Sequence, residues 1–167
     1  LAVMLMLSSA LGSIAIAQDS SELNILYWQA VSILNPYLSG GTKDIDGSAL
    51  ILEPLANIAP DGSLVPVLAE DIPTLENGDV SEDLTTITWT VKEGVLWSDG
   101  SPLTLDDFIF TWQYCTDPEA GCAQTEYFDD VESMEALDGN QLKITFGVPK
   151  PYPYSAFVTQ QAPVLNS

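Results

Sequence analysis

Few side chains in this sequence could carry out bond-making chemistry. The sequence contains no histidine, so neither a Ser-His-Asp triad nor a Cys-His dyad can be built from these residues. A histidine-ligated zinc site is excluded for the same reason. A glycine-rich phosphate loop with its lysine is also absent from the sequence. The residue inventory therefore predicts a protein that is not an enzyme and that holds no cofactor.

Acidic residues are the remaining candidates for acid–base or metal chemistry. The pairs Asp106-Asp107 and Asp129-Asp130 could in principle transfer protons. Adjacent acids on a helix point in different directions, however, and the first pair is explained by the start of a helix. The segment 43–47 (KDIDG) has part of the spacing of a calcium loop but lacks its third acidic position and its terminal Glu. We therefore predict no metal site.

The two cysteines enclose a short turn. Cys115 and Cys122 are separated by six residues, which include Asp117-Pro118 and Ala120-Gly121, and such residues favour a turn. A metal site would need further Cys or His ligands, which the sequence does not contain. In an exported protein the pair predicts a local disulfide that closes a small loop.

The charge balance is strongly acidic. The sequence has 24 Asp and Glu residues against four Lys, giving a formal net charge of −20. Without a basic patch to neutralise phosphates, nucleic acid is excluded as a partner, and an anionic membrane surface is disfavoured. Two interpretations stay open: a negative field that attracts a cationic ligand, or a solvated surface suited to a saline medium, where charges are screened beyond about 8–10 Å. The acids are spread along the chain, which favours the saline interpretation.

The first residues have the pattern of an export signal. An apolar run over Leu1–Leu11 leads to Ala15-Ile16-Ala17, a small-residue cleavage pattern. The run is shorter than the about 20 apolar residues of a membrane-spanning helix. We expect residues 1–17 to be a partial secretion signal, cleaved near Ala17, and the mature protein to be periplasmic or extracellular. We expect 18–167 to be the N-terminal part of a longer domain.

Periodicity predicts a mixture of strands and helices. The apolar run Leu23–Trp28 predicts a buried first strand, and Asp46–Asn57 has near-helical apolar spacing that Pro54 interrupts late. Strict alternation over Thr85–Val91 predicts a strand with Ile87, Trp89 and Val91 on one face.

Capping and turn residues define the later elements. Thr104 is a predicted helix N-cap, followed by first-turn acids and by an apolar stripe that begins at Phe108. Further on, Val131–Leu137 and Gln141–Val148 flank Asp138-Gly139-Asn140, which predicts a hairpin. The overall class is α/β.

Several motifs occur in an order that is specific to one family. The sequence contains, in succession, LNPY (34–37), EPL (53–55), DGSLVPVLAE (61–70), the strand at 85–91, and WSDGSPLTLDDF (97–108) followed by FTW (110–112). This succession resembles the extracellular solute-binding proteins of the peptide/nickel class, which include the dipeptide and oligopeptide receptors. Leu105 and Phe108 stand where Ala and Val are usual in that family. The motif that begins at Trp97 is a turn and helix start, which indicates a structural role.

The resemblance implies a type II periplasmic-binding-protein fold, of which this chain would form the first lobe with its extra subdomain. It implies a monomeric substrate-binding component of an ABC importer. Its partners would be a peptide or another small solute and the ABC permease subunits in the membrane. The alternative is a hydrolase or other enzyme on the same scaffold, with catalytic residues in a part of the protein outside this sequence.

The resemblance also implies where the ligand binds. In the family, the loop after the first strand and the glycine-containing stretch behind it line the cleft between the lobes. The corresponding candidate ligand-binding residues are Trp28, Gln29, Ala30, Val31, Ser39, Gly40, Gly41, Thr42, Lys43 and Asp44. Glycine permits a close approach of backbone to ligand. Lys43 could pair with a ligand carboxylate, with Asp44 or with Asp46.

Overall fold

The structure, a computed structural model, describes residues 24–167. The predicted export signal at 1–17, with its cleavage position at Ala17, lies outside the described residues. The elements along the described chain are a 3-10 helix Pro36–Leu38, α1 Thr42–Ser48, β1 Ala56–Ile58, β2 Leu64–Pro66, β3 Thr86–Thr90, α2 Leu105–Thr116, a 3-10 helix Thr125–Phe128, β4 Val131–Leu137 and β5 Gln141–Phe146.

The larger sheet has the order β3-β5-β4, and both pairings are antiparallel. Ile87, Trp89 and Val91 are buried while the intervening threonines are half-buried, so the alternation in the sequence correctly predicted this strand. β4 and β5 form the predicted hairpin. Its turn requires positive φ at Gly139 (74°) and Asn140 (55°), residue types that tolerate the left-handed region.

The smaller sheet is the antiparallel hairpin β1–β2. Its turn contains Gly62 at φ 86°, and the Asp61 carboxylate accepts hydrogen bonds from the backbone and the hydroxyl of Ser63. Proline and glycine in the Pro-Asp-Gly-Ser sequence at 60–63 favour this turn. Leu55 and Ala56 are completely buried beside Phe157, whose carbonyl accepts the Leu55 N–H at 2.8 Å.

α2 begins as its sequence predicts. Thr104 is the N-cap, and its backbone N–H donates to the Asp107 carboxylate at 2.8 Å. The Trp97 indole also donates to Asp107, at 3.3 Å, which gives the tryptophan of the WSDG motif a structural contact. From the helix Phe108 enters the core, where its ring meets that of Phe157 edge-on at 5.1 Å.

Two predicted elements are wrong. Residues 24–28 form no strand and are exposed, with Leu26 99% exposed, because no strand among the described residues pairs with them. The helix expected over Asp46–Asn57 lies earlier, at Thr42–Ser48. Asp44 in the first turn of this helix accepts hydrogen bonds from Ser32 and Ser39. The chain that follows Pro54 forms β1 instead of continuing a helix.

Cys115 and Cys122 form a disulfide that closes the turn between them, with 5.1 Å between their Cα atoms. Cys115 is completely buried at the end of α2. Within 24–167, no helix has both the length and the apolar character needed to cross a membrane.

The burial of α2 gives a stability prediction. We expect Phe108→Ala to lower the free energy of unfolding by about 3–5 kcal/mol, because it leaves a cavity beside Phe157. Phe110→Ala on the same helix is the control, since Phe110 is 38% exposed, and we expect it to cost under about 1 kcal/mol. Urea unfolding of the full-length polypeptide measures both. Equal losses would contradict the core packing described here.

Candidate functional site

The candidate ligand-binding residues lie in two neighbouring segments, the exposed residues 28–31 and the partly buried residues 39–44. Trp28 is 71% exposed and stacks at an angle on Tyr27, with 5.9 Å between ring centroids. Gln29 and Ala30 are also exposed. The structure thus places Trp28 at the surface rather than in the core.

The buried carboxylate of Asp44 ties the residues that directly follow the first segment to the second segment. It accepts the backbone N–H of Ser32 at 2.6 Å and that of Ile33 at 3.3 Å through one oxygen, and the hydroxyl of Ser39 at 2.7 Å through the other. The Ser39 hydroxyl in turn accepts the Gly41 N–H at 3.1 Å. These bonds fold residues 32–44 into a closed loop whose shape depends on one carboxylate.

Lys43 supplies the positive charge beside this carboxylate. Its ammonium lies 2.7 Å from the Asp44 carboxylate and also donates to the Ser32 hydroxyl. The hydrogen bond from Lys43, followed by those from Ser32 and Ser39, holds the pKa of Asp44 well below its usual range. Among the three partners left open by the sequence, the described structure therefore pairs Lys43 with Asp44.

Tyr37 anchors the loop to the core. Its ring is completely buried, and its hydroxyl donates to the carbonyl of Pro163 at 2.6 Å. Burial raises the pKa of this phenol well above its ordinary value, so it remains a donor. Asn35 caps the short 3-10 helix by accepting the Tyr37 N–H at 3.0 Å. These residues are scaffold, and the LNPY motif of the sequence encodes this anchor.

Two residues far along the chain also hold the loop, and no sequence motif indicated them. The Ala123 N–H donates to the Tyr37 carbonyl at 2.7 Å. The Gln124 amide donates to the Ser39 carbonyl at 3.1 Å. Because 85 residues separate Gln124 from Ser39, no local pattern could have revealed this contact.

An apolar groove of about 240 Å³ runs beside the loop, and it is lined by Ile25, Tyr27, Val31, Lys43, Asp46, Gly47 and Leu50. The Tyr27 hydroxyl donates to the Asp46 carboxylate, which also accepts from Gln160. The hydrogen bond to Asp46 raises the pKa of Tyr27. Apolar walls with a few convergent polar groups are typical of small-molecule sites. Tyr27 and Asp46 therefore extend the candidate site beyond the residues predicted from sequence.

A larger groove of about 660 Å³ lies between residues 49–53, the segment 95–99 and the end of the described chain, and it shares Leu50 with the smaller groove. Its lining includes Asp99, which accepts from Ser101, and Trp97, which donates to Asp107. We take the smaller groove and the adjoining loop as the candidate site because Val31 and Lys43, two of the residues predicted from the sequence, line it.

All four lysines of the sequence have partners in the described structure. Lys43, Lys143 and Lys150 lie within 4.0 Å of Asp44, Glu135 and Asp130, respectively, and Lys92 donates to the Val67 carbonyl. The sequence as a whole carries a formal net charge of −20, whereas the smaller groove has one acidic and one basic residue in its lining, Asp46 and Lys43.

Comparison with known protein families identifies the chain. The family model described as bacterial extracellular solute-binding proteins, family 5, middle, matches residues 63–166. The chain belongs to this family. The resemblance seen in the motifs of the sequence is therefore confirmed.

Curated relatives agree with this assignment. The chain is 32% identical over 152 residues to the oligopeptide-binding protein OppA of Bacillus subtilis, covering 81% of this chain and 27% of that protein. It is 28% identical over 145 residues to the periplasmic oligopeptide-binding protein OppA of Salmonella typhimurium, covering 77% of this chain and 25% of that protein. The chain thus spans about a quarter of the length of these relatives.

Solved structures confirm the fold. The Haemophilus influenzae OppA in complex with RPPGFSPFR superposes with a TM-score of 0.71 at 23% identity, over 82% of this chain and 29% of that one. The described residues therefore have the expected type II periplasmic-binding-protein fold.

The Asp44 network predicts a pH-dependent contribution to stability. Because folding lowers the pKa of Asp44, its contribution is present above the ordinary carboxyl pKa of about 4 and is lost as the pH falls through the lower folded-state value. We expect Asp44→Asn to unfold at a lower temperature than wild type at pH 7, and the difference to narrow below about pH 4. Thermal unfolding between pH 7 and pH 2 measures this.

The control for this series is Asp129→Asn, which replaces an exposed acid and should leave the unfolding temperature at pH 7 unchanged. A wild-type advantage over Asp44→Asn that persists undiminished at pH 2 would show that the ionised carboxylate is not the source of the stabilisation.

Gly47 gives a second prediction. An added Cβ there would lie 2.5 Å from the Val31 side chain, whereas one at Gly40 would meet nothing within 4 Å. Overpacking costs about 1–3 kcal/mol, more than the about 1 kcal/mol that Ala gains over Gly in a helix. We expect Gly47→Ala to lower the unfolding temperature and Gly40→Ala to leave it unchanged. Adding Val31→Ala should restore the unfolding temperature that Gly47→Ala lowers. If the two substitutions lower the unfolding temperature additively, the close approach of Val31 to Gly47 is contradicted.

Proposed function

We propose that the full-length polypeptide is the solute-binding component of an ABC importer, which reversibly captures a peptide or similar small solute and delivers it to a membrane permease. Membership of the solute-binding family over residues 63–166 carries this proposal. The oligopeptide-binding relatives support it further. In this proposal residues 18–167 belong to the solute-binding domain of the mature protein.

The site geometry is consistent with one wall of a clamp. The loop at 39–44 presents Gly40 and Thr42 at the surface, and Lys43 of this loop lines the smaller groove. A second lobe that closes over this surface would sandwich the solute, and the solute would stabilise the closed state because it contacts both lobes only there. Capture then requires no covalent step.

The solute class proposed here is a short peptide. The Haemophilus influenzae relative was solved in complex with the peptide RPPGFSPFR. Other structures with the same fold hold different solutes, agropinic acid in one and Ni(L-His) in another. Because the sequence as a whole carries a formal net charge of −20, peptides with a free amino terminus or basic side chains are the first to test.

The place of action is outside the cytoplasmic membrane. The family is one of extracellular solute-binding proteins, and the pattern ending at Ala17 is that of a cleaved export signal. We propose that the mature protein begins at Gln18 and acts as a monomer that meets the permease subunits after capture.

Binding without turnover is the expected result for the full-length protein. We expect a peptide library to contain members that raise its unfolding temperature, since a ligand at 100 times its Kd adds about 2.7 kcal/mol of stability. Mass spectrometry should recover the bound peptides unchanged. Stoichiometric binding to peptides supports the proposal, and chemical conversion of the peptide would assign the protein to the enzyme class instead.

The variant Gly40→Ala locates the site within this experiment. A methyl group at Gly40 meets open space in the described structure, but it would separate the backbone from a closely bound ligand. We expect about tenfold weaker binding, the loss typical of one displaced hydrogen bond. The control is Gly147→Ala, at the end of β5, where an added Cβ meets only Glu132 at 4.0 Å. Equal affinities of the two variants would place the solute elsewhere.

A further inference from the structure

The disulfide lies immediately next to the two distant residues that hold the candidate binding loop. Ala123 and Gln124 directly follow Cys122 in the sequence. The Ala123 N–H donates to the Tyr37 carbonyl at 2.7 Å, and the Gln124 amide donates to the Ser39 carbonyl at 3.1 Å. The two acceptor residues, Tyr37 and Ser39, flank Leu38 and come just before Gly40 and Gly41 of the loop. Gln124 is only 5% exposed, so its hydrogen bond is protected from water.

The covalent bridge determines how firmly these donors are held. Between α2 and Ala123 the chain passes through residues 117–121, a largely exposed turn that contains Pro118 and Gly121. If the bridge is absent, the covalent path from the end of α2 to Ala123 runs through this turn alone. With it, Cys122 is fixed to Cys115, which is completely buried in the last turn of α2. A cross-link of this kind removes conformational freedom from the segment that it closes.

The fixed end of the bridge is itself part of the core. α2 is anchored by Phe108, which packs on Phe157, and Phe157 packs on Phe128 at 5.3 Å. Phe128 in turn lies 6.1 Å from the ring of Tyr37. The bridge therefore connects the loop to the same core that receives the Tyr37 ring. The loop is therefore held by the packing of the Tyr37 ring in the core and by the hydrogen bonds from Ala123 and Gln124.

We propose that the Cys115–Cys122 disulfide, acting through Ala123 and Gln124, positions the candidate binding loop at residues 37–44. These four residues are positioning residues and do not touch the solute. Their effect on affinity rests on the proposed function. Their effect on the loop is a property of the ligand-free protein and can be measured separately.

Amide hydrogen exchange of the full-length, ligand-free protein tests the positioning. The comparison is between oxidised wild type and the double variant Cys115→Ser/Cys122→Ser, with wild type reduced by a phosphine as a second route to the open bridge. We expect amides in 37–44 to exchange about tenfold faster without the bridge, the factor that one lost hydrogen bond produces. Amides of β5 should exchange at an unchanged rate. Unchanged exchange in 37–44, or equal acceleration in β5, would overturn the proposal.

Gln124→Ala tests the same contact with the bridge intact, and Gln113→Ala, on the exposed side of α2, is its matched control. We expect only Gln124→Ala to speed exchange in 37–44. With a peptide that wild type binds, Gln124→Ala and the bridge-free variant should bind about tenfold more weakly, and equal affinity would overturn the proposal. If wild type binds no solute, the proposed function fails, and the exchange comparison alone decides the positioning.

Discussion

The carboxylate of Asp44 is a charge that the fold has buried, and a buried charge is tolerated only when donors surround it. Here the donors are the backbone of Ser32 and Ile33, the Ser39 hydroxyl and the Lys43 ammonium. Ser32 and Ile33 directly follow the segment 28–31, whereas Ser39 and Lys43 belong to the segment 39–44. Satisfying one charge therefore brings the end of the first segment to the second. The loop therefore has its shape before any solute arrives, and a solute would not have to order it.

A preformed loop is useful only on a rigid support. The support is the row of aromatic rings that runs from Phe108 through Phe157 and Phe128 to Tyr37. Tyr37 is the point where this core meets the loop, and its hydroxyl fixes the direction of approach through the Pro163 carbonyl. Sites built on packed elements hold their geometry better than sites on free loops. The exposed segment at 28–31, by contrast, has little of this support.

The sequence predicted the elements whose signals are local. Alternation located β3, the Asp-Gly-Asn turn located the last hairpin, and Thr104 located the start of α2. The prediction of a first strand at Leu23–Trp28 was wrong for the described residues because a strand needs a partner that periodicity does not show. For the site, resemblance indicated the loop, but Pro163, which anchors Tyr37, and Gln124, which holds Ser39, lie 126 and 85 positions away in the sequence. Such contacts follow from the packing of the whole domain, so only coordinates reveal them.

For the protein to work as a clamp, the Trp28–Asp44 surface must face a second lobe, and solute must fill the space between them. A crystal structure of the full-length polypeptide with a captured solute tests this most directly. We expect a solute in van der Waals contact with the backbone of residues 39–44, with the Asp44 carboxylate still bound by Ser32, Ile33 and Ser39. A solute seated in the larger groove beside Trp97, or a polypeptide with no lobe opposite this surface, would contradict it.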